Sequence, residues 1–327
     1  MTSADGPRLG IVLAQMGGPA ELDEVEPFIK AIFADPDLID VPGPAWTSAA
    51  VGTIVSKVRG PKVRAAYRKI GGGSPILDIT LSQAQAVTEE LRKRGHDAVY
   101  AVAMRYSQPD TADAVAHLER QGAERVVMLP LYPHYSFATT GSSEAELRRV
   151  IGSQTTELPL QVIRTWHDHP SYLDLQAGLV TKMLDGLPEA DRNGAAVVFS
   201  AHGLPQKLID RGDPYPDEIA RSMAGIVERI PYEIDARLGY QSRTGPVKWI
   251  GPDTVEVLSG FAAEGRKAVS LVPLSFVSDH IETLYEADIL LAEAAAKAGI
   301  RDYRRSEVFN AGPGLGEMLA DIVEEAL

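Results

Sequence analysis

An α/β fold in two similar halves, each a four-stranded parallel sheet flanked by helices, is what three observations on this sequence predict. Short runs rich in Val, Ile and Leu alternate with helix-length amphipathic segments, the pattern of a parallel sheet covered on both faces. Two stretches of the chain resemble each other at a fixed offset. The length of 327 residues, with 45% apolar and 24% charged residues, suits two globular domains rather than one core.

The candidate strands are Leu9–Gln15, Ala98–Arg105, Arg125–Leu131 and Gln161–Thr165 in the first half. In the second half they are Ala195–Ser200, Leu238–Ser242, Ala268–Ser275 and Tyr303–Val308. The halves also share their punctuation. Pro109-Asp110-Thr111 opens a helix, Gly122 ends it, and a strand runs into Leu129-Pro130-Leu131. Pro252-Asp253-Thr254, Gly265 and Val272-Pro273-Leu274 repeat the series 143 positions later without a gap. Gln15-Met16-Gly17-Gly18-Pro19 likewise resembles Ala201-His202-Gly203-Leu204-Pro205. Shared strand–turn–helix grammar gives short matches, but a gapless block of this length favours duplication. The expectation is two Rossmann-like domains related by a pseudo-two-fold, residues 1–166 and 167–327, with the last helix packing back on the first half. Ligands of open α/β sheets bind beyond the carboxyl ends of the strands. Met16 and His202 would then approach a flat ligand from opposite sides.

Composition closes several routes. A net charge of −13 argues against a nucleic-acid binder, which needs clustered Lys and Arg. With no cysteine, disulfides, zinc ribbons and Cys-ligated iron–sulfur clusters are impossible, so a metal must use His, carboxylate, Met or Tyr. The apolar run Leu9–Ala14 is too short for a signal-peptide core, and no stretch has the length of a membrane span. The expected address is the cytoplasm.

Four constellations could carry chemistry. His202 follows a strand and precedes Gly203 and Pro205, a position that aims a side chain at the cleft; a lone histidine is otherwise most often structural. In Ser278-Asp279-His280-Ile281-Glu282-Thr283-Leu284-Tyr285-Glu286, Asp279 and Glu282 have the spacing of a capping box. Glu286 needs another reason, because like charges four apart repel on a helix and a cation would relieve them. At the matching positions the first half has Ser136 and Thr139. Imidazole plus carboxylate suits Fe2+ or a similar divalent ion. In Tyr132-Pro133-His134-Tyr135-Ser136, running on to Ser142-Ser143, hydroxyls at a helix start could hold an anion or simply cap, with Arg105-Tyr106 adding charge and an aromatic face. Trp249, between Gly245-Pro246 and Gly251-Pro252, is either a packing anchor or the wall of a flat ligand. Outside these, residues 34–60 hold Leu38, Ile39, Val41, Trp46, Val51, Ile54 and Val55 with three prolines, and read neither as a strand nor as a long helix. They form either a loop with its own apolar cluster or a greasy lip beside the cleft.

At these residues the sequence resembles ferrochelatase along its whole length. The resemblance rests on Leu13–Pro19, Gly71-Gly72-Gly73-Ser74-Pro75-Ile76, Tyr132 to Ser143, Ser200–Pro205, Arg211-Gly212-Asp213-Pro214-Tyr215-Pro216, Gln241 to Pro252 and Asp279-His280-Ile281-Glu282-Thr283-Leu284, all in order. It implies a lyase of haem biosynthesis that inserts Fe2+ into protoporphyrin IX, with both as substrates and no permanently bound cofactor. His202 and Glu282 are the implied iron-site and catalytic pair. Asp279, His280 and Glu286 line the implied route for iron or protons. Met16, Arg105, Tyr106, Tyr135, Ser136 and Trp249 would touch the porphyrin. The family's 2Fe–2S branch has a cysteine-rich tail that this chain lacks. Met16 resembles the protoporphyrin-using branch; the coproporphyrin-using branch commonly has Tyr there.

The competing readings are a cobalt or nickel chelatase for another tetrapyrrole, a metallohydrolase, and a non-catalytic haem or porphyrin binder. The expected mechanism has His202 take a pyrrole proton while Glu282 holds iron or relays protons. A further expectation is peripheral contact with the inner face of the plasma membrane through residues 34–60, because Lys57, Arg59, Lys62, Arg64, Arg68 and Lys69 follow the apolar segment. Transient contact with neighbouring haem-pathway enzymes is expected as well.

Overall fold

The computed structural model describes residues 6–35, 38, 45–153, 158–243, 245 and 247–327. Two four-stranded sheets, every pairing parallel, form from the predicted runs. The first has the order β2-β1-β3-β4, from β1 (Leu9–Gln15), β2 (Ala98–Met104), β3 (Arg125–Pro130) and β4 (Leu160–Val162). The second has the order β6-β5-β7-β8, from β5 (Ala195–His202), β6 (Ile234–Gln241), β7 (Ala268–Pro273) and β8 (Asp302–Arg305). The two orders are the same topology. The boundaries that move most are three: β4 and β8 stop at Val162 and Arg305, because only their first residues meet a partner in β3 and β7. β6 starts at Ile234, through polar residues that its edge position tolerates.

The repeat extends to packing. Helices Thr111–Arg120 and Thr254–Ala263 are each capped by an Asp, Asp110 and Asp253, whose side chain accepts a backbone N–H. Beneath the first sheet Ala114, Val115 and Leu118 pack with Val126 and Met128. Beneath the second Val257, Leu258 and Phe261 pack with Val269 and Leu271, at the positions 143 residues on. A π-helix follows the third strand of each half, Phe137–Gly141 and Glu282–Leu291.

The chain forms two compact units. One takes the chain up to Tyr132 together with Ser136–Thr165 and Asn310–Leu327; the other takes Pro133–Tyr135 and Trp166–Phe309. Within the first unit the last helix, Leu315–Ala326, lies on helix Ile76–Lys93. It buries Leu315, Met318, Leu319, Ile322 and Val323, and Arg94 pairs with Asp321 and Glu324 at 2.8 Å.

The expectation of no long helix in residues 34–60 is corrected: Ala45–Lys69 is one 25-residue helix that continues through Pro61. Over its first four turns the buried positions are Ser48, Gly52, Ser56 and Gly60, four apart, with Ala66 and Tyr67 buried near its end, and the helix meets helix Val25–Ala34. A Cβ on Gly52 would lie 2.6 Å from the Lys30 carbonyl oxygen, and one on Gly60 would lie 2.7 Å from the Glu26 side chain. Small residues therefore let the two helices approach closely. Trp46, Ile54 and Val58 point the other way, exposed at 70%, 64% and 74%. Ile39 and Val41 lie outside the described residues.

Candidate active site

The second unit brings His202, Glu282 and Glu286 to the carboxyl ends of β5 and β6 and the π-helix Glu282–Leu291. His202 is the last residue of β5, in register with Gln241 at the end of β6. Its backbone N–H donates to Ser275 Oγ at 3.0 Å, and that oxygen lies 2.7 Å from the Tyr215 hydroxyl. The Gly203 N–H donates to the Gln241 carbonyl, where a Cβ would come within 2.9 Å of the acceptor. These bonds fix the backbone on both sides of the imidazole.

The imidazole Nε2 stands 3.6 Å from Glu282 Oε1, with a third of the His202 side chain and a fifth of the Glu282 side chain exposed. The second oxygen of Glu282, Oε2, is buried without a hydrogen-bond partner. Glu286 follows on the same side of the π-helix and accepts a hydrogen bond from the Ser242 hydroxyl. Burial lowers the pKa of His202, an effect that Glu286 opposes. Burial raises the pKa of Glu282, and burial together with repulsion from Glu282 pushes Glu286 up to about 7. A neutral imidazole, a carboxylate with an unsatisfied oxygen and a second carboxyl poised near neutrality can accept protons and bind a cation. Among the described residues no group of three or more His, Asp or Glu side chains is arranged to hold a metal ion.

The residue before the π-helix, Ile281, gives it no side-chain capping hydrogen bond. Asp279 pairs with Arg305 at 3.4 Å, and Arg305 also holds Asp288 at 2.5 and 2.9 Å. The His280 ring lies edge-on to Phe276 at 4.8 Å, and its Nδ1 is 3.0 Å from the Ser278 carbonyl. Trp249 is half-buried against Gly203, bridged to Pro205, with its indole N–H unpartnered. Tyr135 donates its backbone N–H to Glu218 at 2.7 Å.

The first unit holds Met16, Arg105, Tyr106 and Ser136. Arg105 donates to Asp35 at 2.7 Å and to Ser142 at 2.9 Å, and the Tyr106 hydroxyl donates to the same Asp35 oxygen at 2.6 Å. Ser136 is fully buried, and its hydroxyl caps the π-helix at Ala138 N–H. Met16 is half-buried at the end of β1. Sequence reasoning missed Asp35 as the partner of Arg105 and Ser242 as the partner of Glu286. Ser242 has a φ of +67°, which nothing in a serine announces.

The family model described as Ferrochelatase matches residues 8–327. A ferrochelatase of Geotalea daltonii is 46% identical over 318 residues, covering 97% of each chain. One from a Synechococcus species is 44% identical over 98% of this chain and 83% of its own. Among solved structures, SirB from Bacillus subtilis with Fe3+ covers 98% of this chain and 96% of its own, with a TM-score of 0.56 at 12% identity. The sirohydrochlorin chelatase SirB from Bacillus subtilis subspecies spizizenii in complex with cobalt covers 98% and 95%, with a TM-score of 0.53 at 12% identity. At that identity the structural likeness shows the fold alone.

Proposed function

Because the chain belongs to the ferrochelatase family, we propose that it inserts Fe2+ into protoporphyrin IX to give protohaem, with His202 and Glu282 at the centre of the reaction. The observation that carries the assignment of residues is the 3.6 Å approach of His202 Nε2 to Glu282 Oε1 beside an unsatisfied carboxylate oxygen. Insertion replaces two pyrrole N–H protons with one Fe2+, so two protons must leave for each metal bound. Burial keeps His202 neutral near pH 7, the form of a general base. Glu282 is placed to receive the proton or to steady the incoming ion. Glu286, with its carboxyl near the midpoint of titration at neutral pH, is placed to pass protons outward. Trp249, packed against Gly203, the residue after His202, offers an aromatic face to the macrocycle. A cleft that binds the ring bent would expose the nitrogen lone pairs, using binding energy to offset strain.

The test is absorbance of protoporphyrin and Fe2+ with the protein under anaerobic conditions. Catalytic loss of the free-porphyrin bands with growth of the haem spectrum supports the reading; stoichiometric binding without turnover sinks it and makes the protein a porphyrin carrier.

The exposed face of helix Ala45–Lys69 supports a second element of the proposal, peripheral contact with an anionic bilayer. No helix among the described residues is long and apolar enough to cross a membrane. Trp46, Ile54 and Val58 nevertheless stand exposed on a helix that also carries Lys57, Arg59, Lys62, Arg64, Arg68 and Lys69. Vesicle co-sedimentation should rise with anionic lipid, fall with salt and fall when these three apolar residues are made Ser, while the melting temperature stays unchanged. Binding indifferent to lipid charge would contradict the proposal.

A further inference from the structure

Ser242 stands in a conformation that its residue type disfavours. Its φ of +67° lies in the left-handed region, where glycine is at ease and serine is strained. The neighbours on both sides over-determine it. Before it, the Gln241 carbonyl accepts from Gly203 N–H at 2.8 Å, and the Gln241 side chain accepts from Ser200 at 2.7 Å while donating to the Glu282 carbonyl at 3.3 Å. After it, Arg243 donates to the Ile250 carbonyl at 2.8 Å and pairs with Asp253 at 3.4 Å. The end of β6 is therefore fastened both to the strand that ends in His202 and to the first turn of the π-helix. The strained backbone turns the serine hydroxyl onto Glu286. Glycine would satisfy the backbone at no steric cost, yet it has no hydroxyl to offer.

We infer that Ser242 is a positioning residue: its hydroxyl fixes the rotamer of Glu286, so that the carboxyl stays aligned with the His202–Glu282 pair through each turnover. The inference rests on the proposed role of Glu286 in moving protons away from that pair. Glu286 projects from a π-helix, an element that is rare and recurs at functional sites. An external donor supports its side chain, and conserving it matters more to rate than to substrate binding.

Two variants separate hydroxyl from backbone. Ser242→Ala keeps the strain and removes the hydroxyl; Ser242→Gly removes both. If the hydroxyl positions Glu286, both variants lose about tenfold in kcat with KM for porphyrin unchanged, although Ser242→Gly melts at or above the parent temperature. If Ser242 serves only the turn, activity follows stability, both variants turn over at the parent rate, and the inference is overturned. A raised KM for porphyrin with kcat retained also overturns it, since Ser242 would then be a substrate contact. Glu286→Gln is the control on the underlying reading. Normal kcat in Glu286→Gln removes the relay and this inference together; reduced kcat there with normal kcat in both Ser242 variants removes this inference alone.

Discussion

At the scale of single residues, Glu286 links the site to stability. Its carboxyl, raised from 4.5 to about 7, keeps a proton in the folded protein at a pH where the unfolded chain has released it. The folded state thus binds more protons between those values, and stability falls as pH rises through that window. His202 acts with the opposite sign. Its lowered pKa means the unfolded chain binds more protons just below 6.5, so its contribution grows with rising pH. Glu286→Gln cannot ionise. It should melt at least about 2 °C above the parent near pH 8, and that margin should close near pH 5; equal margins at the two pH values would show that Glu286 is not buried with its charge opposed. Met16 carries the residue-scale prediction on substrate choice. Steady-state assays should show a higher kcat/KM for protoporphyrin than for coproporphyrin, and a preference for coproporphyrin above about tenfold would contradict it. A strand end and a broken symmetry between the halves singled out His202 and Glu282 in sequence, and their side chains lie 3.6 Å apart. Asp35 and Ser242 were not singled out. Asp35 meets Arg105 across 70 positions of sequence, and the orientation of Ser242 comes from tertiary bonds on either side of it.

At the scale of elements, the helix Ala45–Lys69 explains the largest misreading. A sequence reader expects the apolar stripe of a helix to face the core. Here the buried stripe over residues 48–60 is Ser48, Gly52, Ser56 and Gly60, and Trp46, Ile54 and Val58 face outward. Two glycines and a proline then count against a helix, although close helix–helix packing is what the glycines permit. The consequence is a reversal of sign. Gly52→Ala in an ordinary exposed helix should stabilise by about 1 kcal/mol. Here the new Cβ would meet the Lys30 carbonyl oxygen at 2.6 Å, so the variant should lose about 1–3 kcal/mol in denaturant unfolding. A gain would show that the helices are not so closely packed. The π-helices are the other element beyond the reach of pattern. Their register differs from that of an α-helix by one residue per turn, which apolar spacing over five or ten residues does not resolve.

At the scale of the whole chain, duplication was the most legible feature. Pro, Asp and Gly punctuation repeats at one offset, and the structure repeats it in strand order, in Asp-capped helices and in the core positions beneath each sheet. Local turn chemistry and core patterning are written in adjacent residues, so they survive in sequence even where the residues filling the core have changed. The two halves then diverge where chemistry differs. After the third strand the first half places Ser136 in a buried cap, whereas the second places Glu282 beside His202. The account stands on that divergence, and kinetics of Fe2+ insertion into protoporphyrin by His202→Ala and Glu282→Gln, alongside porphyrin binding measured by fluorescence quenching, tests it most directly. Both variants should bind porphyrin within about threefold of the parent and lose at least about a hundredfold in kcat, the scale of a removed general base. Turnover near the parent rate in either variant, with the fold intact, would contradict it.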